Sequence, residues 1–195
     1  MNFRDFPNFK LHHVPGGISS RFLDAGLQDF HRALEYVWSL PYRRISDPSN
    51  CNLVLAEGCG TCSSKHAAIA KLASEHSLKI SLIVGIFEMN KKNTPGVAEV
   101  LQRHGLEFLP EAHCFLRWEG KTLDLTCCEE SKADELPKTF LYEEEIKPSQ
   151  VGDYKAHVHK RFLTNWLQQL EHPVSMTLDQ LWRIREECIS ALTEI

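Results

Sequence analysis

The sequence predicts an α+β fold in which a central helix packs on an antiparallel sheet, with flanking helices at both ends. Three observations predict it. From Cys62 to His76, the residues Ala67, Ile69, Ala70, Leu72 and Ala73 make a helix apolar on most of its sides, so it belongs inside the molecule. His113 to Trp118 and Lys121 to Thr126 read as two strands joined by a tight turn at Glu119-Gly120. Helical periodicity then recurs near both ends of the chain.

The elements follow in order. Gly26 to Trp38 is the first expected helix, with Leu27, Phe30, Leu34, Val37 and Trp38 on one face and Pro41 as its stop. Asp47 to Asn50, with Pro48, is a loop. Leu53 to Ala56 fits either a short strand or a helix lead-in. Ile80 to Phe87 is apolar on both faces and reads as a buried strand. Thr94 caps a short helix with Pro95 at its first position, ending near Gly105. Cys127 to Lys138 is polar and loop-like, and Glu143-Glu144-Glu145 reads as a solvated acidic run. Ala156 to Leu170 carries Val158, Phe162, Leu163, Trp166, Leu167 and Leu170 as a helix stripe. The last helix begins at Thr177, with Gln180 three residues on as its capping-box partner. Residues 1–150 are expected to form the α+β core and 151–195 a helical pair packed on it, one domain overall.

A chain of 195 residues is long enough to bury a core and keep a pocket. Its net charge of −4 gives no reason to expect nucleic acid or an anionic membrane as partner, since both reward a basic surface. No apolar run reaches the roughly 20 residues that span a bilayer, and Met1 to Lys10 lacks the pattern of a signal peptide. A cytoplasmic location is expected. The seven cysteines, an odd number, argue against a disulfide framework there.

Cys62 is singled out by its place. The first turn of a helix leaves backbone N–H groups without intrahelical partners at the positive end of the dipole, which favours thiolate over thiol. Lys65, one turn on, is expected to add positive charge, and Gly58 and Gly60 allow close approach of a bound group. The hairpin supplies partners. With a two-residue turn at Glu119-Gly120, Trp118 pairs with Lys121, Leu116 with Leu123, and Phe115 with Asp124. His113, Phe115, Asp124 and Thr126 then share a face. His113 and Asp124 become diagonal neighbours, close enough for the carboxylate to accept a hydrogen bond from the imidazole. A base that must keep one tautomer and point at a thiol needs such a carboxylate on its far nitrogen.

These residues resemble the transglutaminase-like family of papain-type thiol enzymes. The resemblance is carried by Gly60-Thr61-Cys62 with Lys65 and Ala68, by His113 with Phe115, and by Asp124-Leu125-Thr126, so it covers about Gly58 to Thr126. Cys114 and Leu125 stand where that family commonly has Ala and Pro. The resemblance implies a papain/transglutaminase-like core and a triad of Cys62 nucleophile, His113 base and Asp124 orienting residue. It implies acyl-enzyme chemistry, transfer or hydrolysis, on an amide or ester, with water or an amine as acceptor; a small-molecule or peptide substrate, no cofactor and no metal are expected. Gly60, Thr61 and Phe115 are the candidate substrate-binding positions.

Other patterns compete. Cys59-Gly60-Thr61-Cys62 is a C-x-x-C that, preceded by Leu53-Val54-Leu55 and followed by a helix, resembles the thioredoxin-like dithiol motif, with Leu109-Pro110 in the place of that fold's substrate-side proline. Cys59, Cys62, His113, Cys114, Cys127 and Cys128 are potential zinc ligands, without a clean paired spacing. A catalytically inactive binding protein on the same scaffold is a further alternative. His66 shares the helix face of Cys62 and is second choice as base. His157 and His159 are expected to be solvated.

Overall fold

The computed structural model describes residues 3–126, 137, 139–169 and 176–193. Apart from Pro137, the loop expected from Cys127 to Lys138 lies outside these residues, as does Leu170. The chain is α+β, with a four-stranded antiparallel sheet of order β3-β2-β1-β4. The strands are β1 (Ser81–Asn90), β2 (Phe108–Trp118), β3 (Lys121–Leu123) and β4 (Tyr142–Ile146). The helices are α1 (Ile18–Asp24), α2 (Phe30–Ser39), α3 (Leu53–Glu57), α4 (Cys62–Glu75), α5 (Ala98–Arg103), α6 (Asp153–Gln169) and α7 (Leu178–Thr193). Among the described residues, no helix is long and apolar enough to cross a membrane.

Period-two alternation divides the sheet between two apolar clusters. Leu82, Val84, Ile86, Cys114 and Leu116 join the cluster of α1, α2 and α4. Phe87, Met89 and Leu109 join Leu163, Leu181, Ile184 and Cys188 from α6 and α7 on the other side. β1 is therefore covered on both faces, which explains its unbroken apolar run. Helix α4 is buried along most of its length, as its small residues require.

Local signals placed several elements well. Glu119 and Gly120 both take positive φ, +47° and +78°, the geometry that a two-residue hairpin turn needs. The register is Leu116 with Leu123, Arg117 with Thr122 and Trp118 with Lys121. At α7, the Thr177 N–H donates to Gln180 Oε1 at 2.8 Å and the Gln180 N–H to Thr177 Oγ1 at 3.3 Å, a complete capping box.

Other expectations are corrected. Gly26 does not open a helix. It follows the end of α1 with φ +80°, and α2 starts four residues later behind Asp29, whose carboxylate accepts from the Arg32 N–H at 3.1 Å. Helix α1 has no cap of its own. Glu75, the last residue of α4, accepts from the Ile18 and Ser19 N–H groups at 2.8 Å each. Leu53–Glu57 is a helix rather than a strand. The acidic run Glu143-Glu144-Glu145 is solvated as expected, with Glu143 and Glu145 exposed, but lies in the edge strand β4, paired with β1 from Ile86–Tyr142 to Leu82–Ile146. The second hairpin strand stops at Leu123, short of the expected Thr126, because Asp124 turns its side chain back onto the Thr126 N–H at 2.9 Å.

Gly85, opposite His113 in the β1–β2 ladder, marks a close approach. A Cβ there would lie 2.4 Å from Cδ1 of Phe140, whose ring stacks on Phe115 at 5.0 Å. Gly85→Ala is expected to displace Phe140 and destabilise the protein by about 1–3 kcal/mol. Urea denaturation measures this, and an unchanged midpoint would show that Phe140 moves freely.

Candidate active site

The site forms where three elements meet. Helix α4 brings Cys62 on its first turn and His66 one turn later. Strand β2 brings His113 and Cys114, and the turn after β3 brings Asp124. Because β3 pairs only from Leu116 to Trp118, it leaves the earlier part of that edge of β2 open for α4, and the Cys114 N–H donates to the Cys62 sulfur.

Cys62, His113 and Asp124 are brought together as a hydrogen-bonded chain. His113 Nε2 lies 2.7 Å from Asp124 Oδ2. A carboxylate only accepts, so Nε2 carries the proton and Nδ1 is left for the thiol of Cys62, to which the ring is also hydrogen-bonded. Asp124 is fixed from behind by both the N–H and the hydroxyl of Thr126 on Oδ1.

The charges follow from these contacts. Burial opposes a thiolate at Cys62. Lys155, then His113 and the Cys114 N–H, outweigh it and bring the thiol pKa down to about 6. Burial also opposes an imidazolium at His113, but the carboxylate of Asp124 and the sulfur of Cys62 prevail and raise its pKa well above the ordinary range. Asp124 is likewise held ionised against burial, chiefly by His113. Near neutral pH the arrangement is thiolate, imidazolium and carboxylate in a row. The sulfur is nearly covered: Cys62 is 7% exposed. Surface clefts lined by Ala70, Ser74 and Pro148, and by Asn8, Leu23 and Asp29, lie elsewhere.

His66 is a strut rather than a competing base. Its Nε2 accepts the Leu125 N–H at 2.6 Å, so its proton sits on Nδ1 and is donated to the Cys62 carbonyl at 2.5 Å. Both nitrogens are committed, and burial foremost drives its pKa down to about 4. A neutral His66 thus ties the Cys62 backbone to the turn that holds Asp124. Lys65 does not face the thiolate as expected. It is fully buried and donates to the carbonyls of Leu40 at 2.5 Å, Leu125 at 3.2 Å and Thr126 at 3.0 Å. It fixes the same turn from the other side.

The positive charge at the sulfur comes instead from Lys155 of α6, with Nζ 3.8 Å from Cys62 Sγ and 2.8 Å from Ser63 Oγ. Sequence reading did not find it, because nothing local marks one buried lysine on a helix. Tyr42, bridged to Gly60, was also missed. Burial, then the nearby Cys62 and Glu111, push its phenol pKa up and keep it protonated. His159, expected in solvent, is 2% exposed and hydrogen-bonded through Nε2 to the Pro110 carbonyl at 2.8 Å.

Of the proposed binding positions, Thr61 is half-buried and caps α4, its N–H donating to Ser64 Oγ at 2.9 Å. Gly60 is buried, its N–H donating to Pro41 and its carbonyl accepting from Arg43. Phe115 is fully buried under Phe140. Cys59 is fully buried and hydrogen-bonded to Arg43, and a helix, not a strand, precedes the C-x-x-C. No group of three or more metal-ligating side chains is assembled among the described residues, which do not include Cys127 and Cys128. Compared with known proteins, the chain matches no family model, no curated sequence and no solved structure.

Proposed function

We propose that this chain is a thiol-dependent acyltransferase or hydrolase of the transglutaminase-like, papain-type class, acting on an amide or ester carbonyl. The observation that carries the proposal is the chain of hydrogen bonds from Cys62 through His113 to Asp124, with the carboxylate 2.7 Å from Nε2. The Cys62 thiolate attacks the carbonyl carbon, forming an S–C bond while the C=O electron pair moves onto oxygen. That oxyanion collapses, the bond to the leaving group breaks, and the His113 imidazolium protonates the departing amine or alkoxide. His113, now neutral, takes a proton from water or an amine, which attacks the thioester and returns Cys62. Asp124 keeps the His113 proton on Nε2 throughout, so Nδ1 always faces sulfur. No cofactor enters these steps.

The pH dependence of thiol alkylation tests the first requirement. A lowered pKa means thiolate is present above it and lost below it. Iodoacetamide labelling of Cys62 is therefore expected to rise through a midpoint near pH 6, where an ordinary cysteine needs about pH 8.5. His113→Ala should move the midpoint upward. Mass mapping of the labelled protein identifies the residue. If Cys62 reacts no faster than the other cysteines near neutral pH, the nucleophile is lost and an inactive binding scaffold is the better account.

A further inference from the structure

Lys155 is buried, 8% exposed, although it comes from the C-terminal helical pair outside the stretch that resembles thiol enzymes. Its place is not left to a flexible stem. One turn along α6, His159 is bonded to the Pro110 carbonyl of β2 and packs on Trp182 of α7. Arg185 of α7 holds Glu111 of the same strand through two hydrogen bonds, 2.9 and 2.6 Å. Both helices are thus pinned to the strand that carries His113 and Cys114. The ammonium then meets Ser63 Oγ at 2.8 Å and Cys62 Sγ at 3.8 Å, beside the first-turn N–H groups of α4.

His113 already supplies a counter-ion to the thiolate. A second cation at the same sulfur needs another reason, and the chemistry provides one. When the thiolate adds to a carbonyl, the negative charge moves from sulfur to an oxygen two bonds away. His113 must keep its proton for the leaving group, so it is not free to follow that charge. An ammonium 3.8 Å from sulfur lies within reach of the new oxygen, at the roughly 2.7–3.1 Å where oxyanion donors act. We propose that Lys155 is a catalytic residue of this site, pairing with the Cys62 thiolate at rest and donating to the oxyanion formed when that thiolate attacks a carbonyl. Ser63 positions it. The inference rests on the acyl-transfer reading. No proton leaves Lys155 in this step: its N–H bonds to the oxyanion while the S–C bond forms, and releases it when the leaving-group bond breaks.

The same position would suit an amine that accepts the acyl group. Its charge argues otherwise, since an ammonium has no lone pair. Burial works against that charge, but Cys62, Cys114 and Glu111 outweigh burial and the opposing Arg185, and hold Lys155 more firmly protonated than usual.

Two probes of Cys62 separate these roles. Iodoacetamide alkylates sulfur without forming an oxyanion, whereas p-nitrophenyl acetate must form one. Both rates are followed from pH 5 to 10 in wild type, Lys155→Met and Lys155→Arg. In Lys155→Met the alkylation midpoint is expected to move to higher pH while its plateau stays within about twofold. The acylation plateau is expected to fall by about 10²–10³-fold, as when an oxyanion donor is removed. Lys155→Arg should recover at least tenfold of that loss. Equal plateaus for both reagents would reduce Lys155 to a counter-ion, and acetyl retained on Lys155 in wild type would make it the acceptor. Both results overturn the proposal. If Lys155→Met does not fold, Ser63→Ala keeps the lysine but frees it, and a selective loss of acylation is expected there too; equal effects on both reagents overturn the proposal. Wild type separates the two levels of inference. If its Cys62 is not acetylated, the acyl-transfer reading falls; if it is acetylated and the variant matches it, only Lys155 falls.

Discussion

Under the proposed thiol chemistry, Asp124→Asn is expected to lower the acyl-transfer rate by roughly 10⁴-fold without unfolding the protein, because it reverses the tautomer of His113. The direction of the amide is predetermined. Oδ1 accepts both the N–H and the hydroxyl of Thr126, and an NH₂ group put there would face the backbone donor. The amide nitrogen must therefore point at His113 Nε2, where the carboxylate now accepts at 2.7 Å. Nε2 then has to accept, the proton moves to Nδ1, and the nitrogen facing Cys62 no longer accepts the thiol proton. Loss of the carboxylate also removes the main support for the imidazolium, so the Cys62 midpoint should shift upward in the alkylation profile. Acetylation by p-nitrophenyl acetate measures the first effect. A loss under tenfold would mean that Asp124 does not set the tautomer.

Arg185→Met is expected to destabilise the fold by about 3–5 kcal/mol, a large share of the 5–15 kcal/mol that keeps a typical domain folded. The pair it breaks is enclosed, with Arg185 and Glu111 side chains 14% and 8% exposed. Burial alone would raise the Glu111 pKa, yet Arg185 above all holds it down to about 2. Without Arg185 a carboxylate is left buried against β2 with Lys155 as a remaining cationic neighbour, since burial lowers the pKa of His159 and favours its neutral ring. The variant should therefore also draw Lys155 away from sulfur and raise the pH of half-maximal alkylation at Cys62. Glu111→Leu combined with Arg185→Met should regain most of the stability, since an apolar pair of similar volume avoids the buried charge. Urea denaturation of the single and double variants tests this. Additive losses in the double variant would show that the pair is not coupled.

The two effects differ in reach. Asp124 acts within one hairpin and one turn. The Glu111–Arg185 pair acts across the whole molecule, because it fixes α7, which packs through Trp182 on the helix that carries Lys155, to the strand that carries His113. Cys62 is supplied by α4, whose apolar residues join one cluster, and Lys155 by α6, whose Leu163 joins the other.

What the sequence by itself determined was whatever a short stretch can encode. The start of α4 at Cys62, the two-residue turn at Glu119-Gly120 and the Thr177–Gln180 cap are each set by residues within a few positions of one another. The hairpin register carried this furthest, since an even turn is enough to put His113 and Asp124 on one face. Tertiary structure decided what depends on residues far apart in the chain. Glu75 caps a helix that begins 57 positions earlier, so α1 had no start signal of its own. Lys65 was assigned to the thiolate by proximity in sequence, but backbone carbonyls brought in from Leu40 and Leu125 claim it. The cation that does reach the sulfur is 93 positions away on α6. His159 reads as one more polar residue on an amphipathic helix until Pro110 is packed against it. Hydrophobic period and turn chemistry act over a turn or a strand, while a buried charge is placed by whichever element folds over it, and no local pattern records that choice.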